Sequence, residues 1–216
     1  MTKRDLDPNQ ILCHEFEYAA QTAIQANEDR VRLFHYYLAT AGTMIAASVL
    51  ADFTENMYVK VFSLAMGALA ILGFISVLKL VKLRTAWKDS VLAMCQIKKY
   101  YIENCDGLKE AFRWREGTAP AVRKKWSIAF LMTVIIAILS SASAGGAIYF
   151  WGSATGKAWS GWDMIIGSIW FCTQVIVWWG LGYLEDKKGE KEREGGFEGH
   201  IIEKEQEENE KRTNKK

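Results

Sequence analysis

Four apolar segments, at 34–51, 61–78, 127–151 and 164–184, carry no Asp, Glu, Lys or Arg in their central parts. Each is near or above the ~18 residues that let a helix cross a hydrocarbon layer ~30 Å thick. Backbone polar groups in lipid must be satisfied within the segment, which leaves the helix as the natural form for runs of this length. The expectation is an all-α, multi-pass membrane protein with four transmembrane helices and cytoplasmic helical extensions. The chain then divides into an N-terminal helix at 1–33, a transmembrane hairpin at 34–82, a helical stalk at 83–125, a second hairpin at 126–184 and a charged tail at 185–216.

Composition hides this pattern. Mean hydropathy is −0.04, because four apolar spans are averaged with a highly charged remainder. A net charge of +2 provides no global field for nucleic acid, which is disfavoured as a partner. Cysteines stand at 13, 95, 105 and 172 with no C-x-x-C pair, so free thiols in a reducing compartment are expected. No secretory signal is read, since Met1 to Asp7 is charged and the first apolar run begins after about 30 residues.

Charge asymmetry sets the orientation. Lys79, Lys82, Arg84, Lys88, Lys98 and Lys99 open a basic stretch that continues to Lys125. The loops on the other side offer only Lys60 and Lys157. Basic residues favour the cytoplasmic side, so the stalk and both termini are placed there, in the cell inner membrane. Tyr36, Tyr37, Trp126, Trp178, Trp179 and Tyr183 then fall at the inner interface, and Tyr58, Trp151, Trp159 and Trp162 at the outer one.

Helices should continue out of the spans. Asp7 can cap, Pro8 suits the first helical position, and Gln10 completes a capping-box-like pattern. Leu12, Phe16, Ala19, Ala23, Asn27, Val31 and Phe34 recur at helical spacing, with Glu28 and Arg32 four apart on the other side. Beyond the second span, Leu80, Leu83, Trp87, Val91, Met94, Lys98 and Tyr101 form a narrow seam of near-3.5 period. That seam closes on the N-terminal helix or mediates oligomerisation. Asp106-Gly107 breaks the helix, a short helix follows at 108–116, and Pro120 starts the run into the third span. The Glu- and Lys-rich tail at 185–216 lacks the apolar surface to order itself, with Phe197, Ile201 and Ile202 as its apolar anchors.

Inside the spans, Ala129, Thr133, Ala137, Ser141 and Gly145 recur every fourth residue. Such a strip of small side chains lets helices approach closely, either within one subunit or around a subunit contact or pore. Ala39, Thr43 and Ala47 form a shorter version, read as a contact within the subunit. Gln174 is costly to leave in lipid and should point to another helix, a second copy or water. The central parts of the spans offer no charge for a proton relay or ion-coupled pump, and no Pro to break a helix.

Catalytic signals are sparse. His14 and Glu17 share a helical face, but two ligands do not make a metal site. No phosphate-binding Gly loop, G-x-S-x-G or H-E-x-x-H occurs, so neither a cofactor nor an enzyme activity is expected. Arg30 and His35, and likewise Arg193 and His200, resemble the Arg-x4-6-His motif of HEPN ribonucleases. That resemblance would imply metal-independent RNA cleavage by a paired site. The simpler reading makes Glu28, Arg30, Arg32 and His35 a cytoplasmic entrance, with the arginines anchored to lipid phosphate.

The stretch 15–47, EFEYAAQTAIQANEDRVRLFHYYLATAGTMIAA, resembles the start of SLATT-type proteins. So does the arrangement over about residues 10 to 105: an acidic helix entering one span, a tight hairpin, and a second span leaving as a cytoplasmic helix. The resemblance implies a small bacterial membrane effector of a nucleotide-signalling antiviral system that oligomerises and permeabilises the inner membrane. The third and fourth spans depart from that two-span form. The sequence reading is therefore a homo-oligomeric pore or membrane-perturbing effector gated from the cytoplasm by a soluble protein or nucleotide signal. A non-conducting scaffold that recruits a soluble partner is the alternative, and a membrane-tethered nuclease the second alternative.

Overall fold

Asp7 Oδ1 accepts a hydrogen bond from the Asn9 amide at 2.9 Å, and Pro8 takes the first helical position, where an N–H would go unused. The helix so started, α1, runs Pro8–Leu50. The computed structural model describes residues 7–50, 55–105, 110, 127–156 and 161–184. α2 runs Asn56–Asn104, α3 Ile128–Ala154 and α4 Trp162–Leu184. Ser127 caps α3 by accepting from the Phe130 amide at 3.2 Å. Gly156 and Gly161 lie on either side of the α3–α4 connection with φ of 68° and 75°, a region that side chains with a Cβ disfavour. The described residues contain no strand, and all four helices are long and apolar enough to cross a bilayer.

Lengths are unequal, and this shapes the molecule. At 1.5 Å per residue α1 and α2 are about 65 and 74 Å long, against about 40 Å for α3 and 35 Å for α4. α2 is central, packing most extensively on α3 and then on α1, while α1 and α3 meet at few points. Cross-helix contacts fix the levels. Phe62 meets Phe150 edge-on at 5.0 Å between centroids, and Ser63 Oγ donates to the Ala147 carbonyl at 2.6 Å. Leu80, Val81, Ala129 and Trp178 share one buried cluster at the other end of the four-helix part. Past Leu80, α2 continues for about 36 Å beside α1 as a two-helix stalk.

Unlike a water-soluble bundle, this one is as apolar on its outer faces as in its interior. The outward faces carry Leu64, Ile71, Ile138, Ile169 and Ile176, the last 68% exposed. The interior holds Ser140, Thr133, Gln174 and small residues such as Ala70, Ala129 and Ala137. An apolar surface this continuous is not normally presented to water.

Several sequence expectations shift by one helical position. On α1 the buried seam is Ala19, Ala23, Ala26, Arg30, Tyr37 and Ala41, while Asn27 is exposed. A spacing of four turns about 40° per step away from a straight contact line, so the contact returns by alternating steps of three and four. On α2 the stalk buries Arg84, Ser90, Val91 and Cys95, with Leu83, Trp87 and Met94 at its flanks. Arg32 lies 3.7 Å from Asp29, not against Glu28. Tyr37 and Trp178, read as interface residues, are interior. Ala39, Thr43 and Ala47 are exposed, so the span-one strip lies on the open face of α1 and not in a buried seam. The expectations for 106–109, 111–126, 157–160 and 185–216 lie outside the described residues.

Candidate functional site

Where all four helices meet, a polar node forms around Ser140 on α3. Its Oγ donates to the Ala70 carbonyl on α2 at 2.9 Å. It accepts from Trp170 Nε1 at 3.0 Å and from Gln174 Nε2 at 3.0 Å, both on α4. One hydroxyl proton and two lone pairs are the whole capacity of a serine, so this one is saturated. Most other Ser and Thr hydroxyls of the helices bond back to their own helix, as Thr133 does to Ala129 and Ser143 to Leu139. Ser140 instead ties two neighbouring helices to its own.

α1 reaches the node through Tyr37. A Cβ placed on Gly73 of α2 would lie 2.5 Å from Ser140 Cβ, 2.6 Å from its Oγ and 2.7 Å from the Tyr37 hydroxyl. Gly73 is thus the gap in α2 through which α1 and α3 approach each other. With Ser140 saturated, the Tyr37 hydroxyl makes no hydrogen bond, and neither does Gln174 Oε1. Both residues are buried, at 5% and 0% exposure. An unpaired buried polar atom costs roughly 1–3 kcal/mol, so these two atoms offset part of what the Ser140 hydrogen bonds contribute.

The span-three strip splits in two. Ala129, Thr133 and Ala137 are fully interior. Ser141 and Gly145 instead face α4, where a Cβ on Gly167 would lie 3.1 Å from the Ser141 carbonyl oxygen. In the single chain the strip is a helix contact, and Gln174 points inward to Ser140. Fully buried Val77, Leu80, Thr133, Ile136, Ser140 and Gln174 fill the centre of the bundle.

The entrance candidates do not converge. Arg30 faces the α1–α2 seam, where its Nη2 donates to Asn27 Oδ1. It stands before the apolar run of α1, and burial lowers its pKa from the ordinary arginine value. Glu28, Arg32 and His35 are exposed elsewhere on α1. Arg30 is thus buried in the seam while His35 is exposed, which separates the two residues of the Arg-x4-6-His reading by environment. His14 lies 3.8 Å from Glu17 on the open surface. Among the described residues no cluster of three or more His, Cys, Asp or Glu could hold a metal, and none of the four cysteines is in a disulfide. On α2, the Arg84 guanidinium sits 4.5 Å over the Trp87 ring, a cation–π contact inside the stalk.

Sequence reading found Gln174 and missed Ser140, Trp170 and Tyr37. One signal was available. Trp170 and Gln174 are four apart and share a helical face, so two N–H donors point the same way in an apolar span and demand a common acceptor. No family model matches this chain, and no curated protein or solved structure matches it.

Proposed function

We propose that the chain is a homo-oligomeric inner-membrane protein with its stalk and termini in the cytoplasm, acting as a membrane-perturbing effector driven from the stalk. The apolar outer faces of all four helices support immersion in lipid. Lys79, Lys82, Lys88, Lys98 and Lys99 at the stalk end, against Lys60 at the hairpin end, support the orientation. The observation that carries the effector reading is continuity. α1 and α2 pass unbroken from stalk to node, where Tyr37 and Gly73 stand beside Ser140. A shift or rotation at the stalk is delivered to a node that already holds two unpaired polar atoms. Because packed side chains fill the centre of each bundle, permeation would run between subunits. Residues 15–47 resemble the SLATT pattern, which extends the proposal to antiviral defence triggered by a nucleotide or a soluble protein.

Cys13 and Cys105, both exposed on the stalk, supply the test. The purified full chain is reconstituted in dye-loaded vesicles, and stalks of neighbouring subunits are joined with a water-soluble bis-maleimide. Dye release on joining is expected. Vesicles that hold their dye at any degree of joining, with oligomers present, contradict the effector reading.

The scaffold alternative rests on one feature. An apolar cleft at the stalk tip is lined by Pro8, Ile11, Leu12, Gln96, Ile97 and Tyr100. On that reading Ile11→Glu abolishes capture of a soluble partner and leaves dye release unchanged.

A further inference from the structure

A cleft of about 740 Å³ runs between the outward faces of α3 and α4. Gly145 and Gly167 form its narrow floor. A Cβ on Gly145 would lie 3.0 Å from the Asp163 carbonyl oxygen, so α4 begins in direct contact with α3. Ile138, Ala142, Phe171 and Cys172 continue the cleft toward the level of the node as an apolar trough. Asp163 is the one charged side chain among the described residues of the lining. Its Oδ1 is buried and accepts no hydrogen bond among the described residues. With that oxygen covered by protein, the carboxylate can gain a donor only from the side on which it lines the cleft, and a cationic N–H is the strongest donor there.

We propose that this cleft binds an aminolipid of the outer leaflet, its primary ammonium donating to Asp163 and one acyl chain lying along Ile138 and Phe171. This rests on the reading that the helices cross a bilayer with the hairpin end outward. Shape and charge select the headgroup together. The trough suits a chain that enters beside Asp163 and runs toward the bilayer centre. A quaternary ammonium has no N–H to give, and an anionic headgroup would set like charges together.

The full-length protein is purified in detergent and equilibrated with equimolar phosphatidylethanolamine, phosphatidylcholine and phosphatidylglycerol of matched chains. Retained lipid is counted by native mass spectrometry. Phosphatidylethanolamine should exceed phosphatidylcholine by about tenfold, the size of one hydrogen bond to a charged group. Asp163→Asn should bring the ratio close to parity, and Ser168→Phe, which fills the trough, should lower retention of all three lipids. Equal retention of the three by the unaltered protein overturns the proposal. So does an unchanged ratio in Asp163→Asn, or a second copy joined through Cys172 with no lipid bound. These results leave bilayer crossing intact; a protein that stays monodisperse without detergent would remove that premise instead.

Discussion

Ser140 and Tyr37 behave oppositely although both are hydroxyls in the same node. Ser140→Ala strands the N–H groups of Trp170 and Gln174 in an apolar interior. Thermal unfolding in detergent should register a loss of about 1–3 kcal/mol. Tyr37→Phe removes a hydroxyl that stands beside Ser140 outside hydrogen-bond geometry, so it should leave stability unchanged or raise it by up to about 1 kcal/mol. A Tyr37→Phe loss as large as that of Ser140→Ala would mean that the hydroxyl has a partner. At this scale the sequence was half legible. Gln174 is conspicuous because an amide in an apolar run has no local way to satisfy itself. Ser140 is not, because a mid-helix serine usually bonds its own backbone, and nothing in the chain marks the one that does otherwise.

Helices pack here by what they lack. Gly73 is the gap that admits Ser140 and Tyr37, so Gly73→Ala forces α2 away from α3 against the Ser140 Cβ, which cannot swing aside. The expected loss is about 1–3 kcal/mol, with near-ultraviolet circular dichroism reporting loosened tryptophan packing. Thr43→Leu lies on the exposed face of α1 and should change single-chain stability by less than about 0.5 kcal/mol. If that face is a subunit contact, the subunit count in detergent will fall while stability holds. Element existence was legible from apolar length and periodicity, and α1 and α2 do run continuously into the stalk. Which residues close the seam was not, because a fourfold spacing drifts around the helix. The true line of Ala19, Ala23, Ala26 and Arg30 alternates three and four, and it buries an arginine that composition alone would place outside.

As a whole, the molecule is a four-helix part with apolar outer faces, extended by a two-helix stalk. Large apolar side chains cover its outside as well as its core, around one polar node, which suits apolar surroundings. Sequence reached the four long helices through their charge-free apolar runs. It could not reach the centre, where four helices from distant parts of the chain meet on one hydroxyl. The central claim is that the four helices cross a bilayer with the stalk on the inner side, and labelling of sealed vesicles by an impermeant maleimide tests it. Cys13 and Cys105 should label only in inside-out vesicles, and a cysteine placed at Gly156 only in right-side-out ones. Labelling of Cys13 and Gly156→Cys from the same side, or recovery of the protein free of membrane, would contradict it.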